Sequence, residues 1–349
     1  MDDPGQWPPT TLRIAVLHGV LAPEQWDGPE AERREINRGV FEVAEAIAHA
    51  LRSTPNAQVV VHGISRLRGL SAWLRREQIN VVFNVCEFLE GKGSEVHKIP
   101  ALLERLGIPY TGNRAPVVRL SFNRVALKRR LLRYGIPTPS YEILQAGGPL
   151  NGRLSFPLIV KVANEHASLG LDERSVVWDE ASLQAQARRV AQEHGWPVLV
   201  ESYIEGTEVT ASLVEDNDGL KILGLRQFDF SEVPPGLPHI ITYRAKWETA
   251  SEDYKRIRRG KARLCPEVER EVRQLALRTF QALGCRDYGR VDMCVDAAGR
   301  IFVIDVNPDC SLEIDSNWVL TALEEGYTYE TALRHLLFLA VRRGGKPYG

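Results

Sequence analysis

The chain has 349 residues, enough for two or three domains with substantial cores. Its 44 basic and 45 acidic residues nearly cancel, which gives no support to a nucleic-acid or membrane-surface role. No apolar run approaches the roughly 20 residues of a spanning helix, and five scattered cysteines without a CxxC pair fit free thiols in a cytoplasmic protein.

The first ten residues, MDDPGQWPPT, are acidic and proline-rich and read as a flexible tail. A strand is expected at residues 12–17, then a helix whose stripe is Ile36, Val40, Val43, Ile47 and Leu51. Strands follow at 58–61 and 80–85, and a helix at 99–106 before Gly107-Ile108-Pro109. That βαβ order predicts a parallel sheet with helices on its faces, ending near Asn113. Residues 121–134 read as one helix rich in Arg and Lys, and strands are expected at 158–162, 198–201, 209–214 and 221–226. Between Ser231 and Arg263 the pattern dissolves into prolines, glycine and basic residues, as in a functional lid. Helices at 266–283 and 331–342 bracket a last hairpin.

That hairpin, YGRVDMCVDAAGRIFVIDVNP from Tyr288 to Pro308, carries the sharpest chemistry. Residues two apart in a strand share a face, so Arg290, Asp292 and Cys294 line one face of its first strand, and Val303, Asp305 and Asn307 one face of its second. A connection of two or four residues sets Asp292 opposite Val303 and Arg290 opposite Asp305; three oxygen ligands then converge beside a guanidinium. A three-residue loop would scatter them. Oxygen ligands without His or Cys suit Mg²⁺ bridging substrate phosphates. The bland alternative is an exposed hairpin with an acidic solvent face.

Four other stretches are weaker alone. Lys161 ends an apolar strand ahead of a loop of small and polar residues, where a cation and backbone N–H groups could hold phosphates. Lys128 sits in NRVALKRRLL, although helix faces are full of lysines. In VLVESYIEGTEV, Glu201 and the following backbone could meet an adenine edge, Ile204 its face and Glu208 a ribose; an ordinary surface crossover explains the same pattern. Lys246, in the lid stretch ITYRAKWET, could close over a phosphate. The run Glu90-Gly91-Lys92-Gly93-Ser94 lacks the spacing of a phosphate loop, and the eight histidines lack metal-ligand spacing.

Together these stretches resemble the ATP-grasp superfamily, and within it the D-alanine–D-alanine ligase group. The resemblance runs from IAVLHG through IPYTGN, KRRLLRYGIPTP, PLIVKVANEHASLG, LVESYIEGTEVT and YRAKW to LGCRDYGRVD and IDVNP. It implies an α/β protein with α+β lobes: a Rossmann-like domain at 11–115 behind a tail at 1–10, a central lobe at 116–205, and a C-terminal lobe with lid and metal site at 206–349. It implies that Lys128 and Lys161, with the loop residue Ser168, bind ATP phosphates. Glu201, Ser202 and Ile204 would meet adenine, Glu208 the ribose, and Lys246 the terminal phosphate. Asp292, Asp305 and Asn307 would bind two Mg²⁺ ions, with Mn²⁺ able to substitute, and Arg290 would steady the transferring group.

The implied chemistry is an ADP-forming ligase. A carboxylate takes the γ-phosphoryl group of ATP, and an amine then attacks the acyl phosphate to leave an amide. A homodimer is implied by the same analogy. Departures gather where substrates should bind. Position 167 is Ala where those ligases carry a serine, and Trp247 follows Lys246 where they carry tyrosine. The run PDCSLEIDSNW follows Asn307 without their Pro-Gly turn, leaving Ser316 to meet a carboxylate. Their N-terminal glutamate has Glu32 as its candidate counterpart, behind an insertion at 20–30. The expectation is therefore a ligase of amino acids or small peptides other than D-alanine plus D-alanine. The alternatives are a genuine D-alanine–D-alanine ligase, an inactive ATP-binding sensor, and a small-molecule kinase.

Overall fold

The structure is a computed structural model that describes residues 7, 11–146, 148, 150–164, 170–248 and 251–344, with the side chain of Trp247 outside that description. Its first layer is parallel. Strand β1 (Leu12–Gly19) lies between β2 (Ala57–Ile64) and β3 (Val81–Asn84), connected by α1 (Glu30–Leu51) and α2 (Leu70–Arg76), with α3 (Lys98–Leu106) after the last strand. A central parallel strand is covered on both faces, which is why β1 reads as an unbroken apolar run. Helix α3 stops at Gly107, whose φ of 67° closes the helix in the left-handed region.

The expected basic helix at 121–134 is α5 (Arg124–Arg133), and a separate helix, α4 (Ala115–Ser121), precedes it and ends at Phe122; Asn123 opens α5 by accepting a hydrogen bond from the Ala126 N–H. An asparagine that satisfies a free helix-end donor starts a new helix rather than continuing the old one. An antiparallel sheet of order β4-β7-β5-β6 follows, from β4 (Tyr141–Leu144), β5 (Leu158–Val162), β6 (Val176–Val177) and β7 (Val198–Ser202), backed by α6 (Glu180–His194).

The third layer is an antiparallel sheet of order β10-β9-β8-β11-β12. It comprises β8 (Gly206–Asp216), β9 (Gly219–Asp229), β10 (Arg258–Lys261), β11 (Tyr288–Asp296) and β12 (Ile301–Asn307). Two short helices, α7 (Tyr243–Trp247) and α8 (Glu252–Arg256), interrupt the lid stretch, and α9 (Pro266–Leu283) covers one face. Val291, Met293 and Val295 turn to α9, so the alternate residues Arg290, Asp292 and Cys294 turn to the other face, as strand periodicity requires.

The hairpin register corrects the expected pairing. Its connection is the three-residue loop, with Asp296 and Arg300 bonded across it and Gly299 at φ 78°. Cys294 pairs with Phe302 and Met293 with Val303, a phase that would turn Asp305 away. A bulge then places Ile304 as an extra residue, and beyond it Asp292 faces Asp305 and Arg290 faces Asn307. The carboxylates converge because two irregularities cancel.

Helices α10 (Asn317–Glu324) and α11 (Tyr329–Arg343) return to the start of the chain: Leu333, Leu336 and Leu337 share a core with Ile14, Val16, Ile47 and Leu51. The expected loose tail is tied at one point, because Trp7 is buried and meets Phe338 edge-on at 5.6 Å. An aromatic side chain supplies enough apolar area to anchor an otherwise polar segment.

A polar knot fastens the layers at Asn113. Its amide donates to the carbonyls of Tyr288 (3.1 Å) and Pro308 (2.7 Å), and its Oδ1 accepts from the Arg286 N–H at 2.8 Å. Asp287, fully buried, accepts from the Gly112 N–H (2.8 Å) and pairs with Arg343, which also donates to the Tyr110 carbonyl. Removing one partner of a buried ion pair strands the other. Asp287→Ala is therefore expected to cost about 3 kcal/mol or more, read as a lowered midpoint in urea unfolding.

Candidate active site

The open face of the C-terminal sheet and the central sheet enclose a cavity of about 550 Å³. On the central side, Lys161 of β5 and Lys128 of α5 reach one carboxylate, Glu201 of β7, at 2.9 and 3.2 Å. Lys128 also donates to Thr138 Oγ1 (2.8 Å) and the Pro139 carbonyl (3.1 Å). All three charged side chains are buried. Burial alone would push Glu201 up, but the two ammonium groups hold it down at about 2. Burial lowers Lys128 to about 8, against the pull of Glu201. Two buried cations share one anion, and Arg124 at the start of α5 adds a third, 3.9 Å from Asp305. Such a surplus suits an anionic ligand with several charged oxygens.

On the sheet side, Asp292 accepts two hydrogen bonds from Arg290, at 2.8 and 3.0 Å, and one from the Asn307 amide at 2.9 Å. Asp305 stands across the strand pair from Asp292. Burial would lower Arg290, yet Asp292 holds it well above its ordinary value. Among the described residues no three His, Cys, Asp or Glu side chains gather as a metal cluster. Two carboxylates and an amide oxygen do gather, which fits Mg²⁺ sharing its shell with phosphates rather than a metal caged by protein alone. Lys246 of α7 lines the same cavity, where desolvation, with neighbouring Arg290 adding to it, lowers it to about 8 against the pull of Asp292 and Asp305.

A flatter, more apolar end is lined by Ile159, Leu171, Ser202, Tyr203, Ile204, Ile240 and Cys294, with Glu208 beside them. Enclosure by protein raises Glu208 to about 8, with Asp292 adding to the rise. The lid lies over this end: Ile240 packs with Ile159 and Val176, and the Tyr243 N–H donates to the Leu171 carbonyl at 2.9 Å.

The cavity thus gathers Lys128, Lys161, Glu201, Ser202, Ile204, Glu208, Lys246, Arg290, Asp292, Asp305 and Asn307, Lys128 entering through its bridge to Glu201. Two placements differ from expectation. The Glu201 carboxylate is occupied by lysines, which leaves any adenine contact to the backbone around it. Ser316 caps α10, its Oγ accepting from the Val319 N–H, while its neighbours Asp315 and Asn317 line the cavity. Glu32 is exposed at the start of α1, its charge reaching Tyr243 of the lid. Burial raises Glu313, with Asp315 adding to the rise and Arg259 opposing it. Ala167 and Ser168 lie outside the described residues. Sequence reasoning missed Arg124, Arg226 and Asn317; only Arg124 left a signal, one helical turn before Lys128 on the same face.

A family described as "D-ala D-ala ligase C-terminus" matches residues 132–338. A protein from Xanthomonas axonopodis pv. citri named D-alanine–D-alanine ligase is 31% identical over 337 residues, covering 93% of each chain. An uncharacterized protein, y4sG, from Sinorhizobium fredii is 29% identical over 86% of this chain and 88% of its own length. Among solved structures, D-alanine–D-alanine ligase from Bacillus anthracis complexed with ATP superposes with a TM-score of 0.73 at 22% identity, over 96% of this chain and all of its own. VanG D-Ala:D-Ser ligase from Enterococcus faecalis gives 0.69 at 20%, over 94% and 99%.

Two outcomes are expected. Glu201→Ala leaves two buried lysines facing each other and should cost about 3–5 kcal/mol, measured by chemical denaturation. A phosphate held by Lys128 and Lys246 would need both in the charged form, and burial lowers each to about 8. ATP affinity should therefore fall as pH rises through about 8, the Kd growing about tenfold or more by about pH 9.5, and the profile should be shallower in Lys246→Met.

Proposed function

The chain belongs to the D-alanine–D-alanine ligase family, and on that premise we propose that its cleft joins a carboxylate to an amine, the partners being amino acids or small peptides other than D-alanine plus D-alanine. It is an ATP-dependent, ADP-forming ligase. One observation carries the site reading: the cations and oxygen ligands needed for phosphoryl transfer, from five separate segments, meet in one cavity.

In this reading Lys128, Lys161 and Arg124 hold the triphosphate, while Asp292, Asp305 and Asn307 hold up to two Mg²⁺ ions, or Mn²⁺ in their place. The metal, when bound, offsets charge on the phosphates. Arg290, fixed by its two bonds to Asp292, faces the phosphoryl group as it passes to the substrate carboxylate, and Lys246 approaches it from the lid. Ser202 and Ile204 frame the adenine and Glu208 the ribose. Helix α7, fastened by Tyr243 to the central lobe, keeps water from the acyl phosphate until the amine attacks the acyl carbon and phosphate leaves.

The substrate departure rests on the loop after Asn307, PDCSLEIDSNW, which brings Asp315 and Asn317 to the cavity wall. The rival, a genuine D-alanine–D-alanine ligase, draws on the name of the Xanthomonas relative. A screen of amino-acid pairs for ADP release decides between them: strong activity with D-alanine alone supports the rival. Asp292→Asn is expected to lower kcat by about a hundredfold or more while ATP still binds. A variant that kept full turnover would remove Asp292 from the reaction, and wild-type protein that bound ATP without turnover on any substrate would mark it as a sensor.

A further inference from the structure

We propose that the end wall of the cavity formed by Arg226, Arg259 and Asn317 is a subsite for a carboxylate remote from the reacting amine, so that the amine substrate is a dicarboxylic amino acid or a peptide. This rests on the ligase reading and extends it to the substrate class.

Directly paired residues of antiparallel strands share a face, and Arg226, Thr210, Asp292 and Asp305 form one row across β9, β8, β11 and β12. Asp305 ends that row toward Arg124 and the lysines, the side assigned to the triphosphate. Arg226 lies on the opposite flank of Asp292, two strands away, at about 10 Å between backbones. It is 6% exposed yet lines the cavity. Its Nη1 pairs with Glu324 of α10 and its Nη2 donates to the Arg259 carbonyl at 3.5 Å.

Its Nε is buried and, among the described residues, has no hydrogen-bond partner; the same holds for Asn317 Oδ1 and Thr210 Oγ1. Asn317, 4% exposed, lines the same end of the cavity. Buried polar atoms are nearly always bonded, so the two orphans on lining residues, Arg226 Nε and Asn317 Oδ1, mark contacts that a bound molecule completes. They call for both kinds of partner: Arg226 Nε offers a proton and Asn317 Oδ1 accepts one.

The charge selects the ligand. Arg226, Arg258 and Arg259 line this end with Asp315; Glu324 pairs with Arg226 and Glu232 with Arg258, and Arg259 is in no ion pair among the described residues. Arg259 is exposed, with its guanidinium over the Tyr254 ring, and can swing to a ligand without unfolding anything. The α-carboxylate of a simple amino acid is held beside its amine and stays near the reacting centre. A side-chain carboxylate, or the C-terminus of a dipeptide, reaches the far flank while the amine remains over Asp292.

The test is the rate of ADP release from wild type, Arg226→Gln and Arg259→Gln, with the carboxylate donor fixed. The amines are matched pairs in both stereochemical forms: glutamate against glutamine, and alanyl-alanine against its C-terminal amide. Wild type is expected to favour the anionic member of at least one pair by about tenfold or more in kcat/KM; which pair responds identifies the carboxylate's source. Arg226→Gln should bring that ratio to near one with the KM for ATP unchanged, and Arg259→Gln, at an exposed position, should lower it in part. A wild type indifferent to the second carboxylate overturns the proposal, as does an Arg259→Gln ratio equal to wild type together with an Arg226→Gln loss that is the same for every amine. ADP release without anionic preference defeats this proposal alone, whereas no ADP release with any amine defeats the ligase reading with it.

Discussion

One buried carboxylate makes this cleft possible. Two lysines could not remain charged away from water without Glu201 between them, and they come from different elements, a helix and a strand. The triad therefore does two jobs at once. It fastens α5 to the sheet, and it keeps a surplus of positive charge at a place water reaches poorly. A cleft lined that way is electrostatically unfinished, and a polyphosphate completes it at small reorganisation cost.

Around that centre each layer contributes something different. The C-terminal sheet presents its acids because the core under α9 takes the apolar half of β8, β9, β11 and β12. The central sheet presents cations, and the lid bridges the two through Ile240 and Tyr243. The parallel layer supplies none of the described residues lining the cavity, yet the Asn113 knot grips both ends of the Tyr288–Pro308 hairpin. Rigidity at the candidate site thus draws on hydrogen bonds made by a segment remote in sequence, and the shared core under α11 supports that knot.

Much of this was legible in the residues. Strong periodicity marked β1, β5 and α9, which bury their apolar sets, and the stripe of α1, buried at Ile47 and Leu51 and half-buried at Ile36, Val40 and Val43. Helix α6 left little trace, since its buried positions include Gln186, Ala187 and Ala191, too small or too polar to stand out. The basic helix was legible as α5, but its start was set three residues early because the cap at Asn123 looks like any other polar residue until its donor is placed, and the short α4 before it went unread. At the site, residue types announced the acids, Arg290 and Lys246. Glu201 and Ser316 sit otherwise than their residue types suggested, the first bridged by lysines far away in sequence and the second capping its own helix. Arg226 and Asn317 left no local signal, their importance lying in what they fail to bond.

The hairpin bulge has a consequence for how this site can change over time. A three-residue loop and one extra residue at Ile304 together bring Asp305 to the same side as Asp292. Losing or gaining one residue between the acids turns one of them to the α9 core, where a charge has no partner. Length variation here must come in compensating pairs, or in steps of two that lengthen the arm without reversing its face. The loop tip at Ala297 and Ala298 is exposed and free to vary in kind, but its length is bound to the chemistry at the other end of the strands.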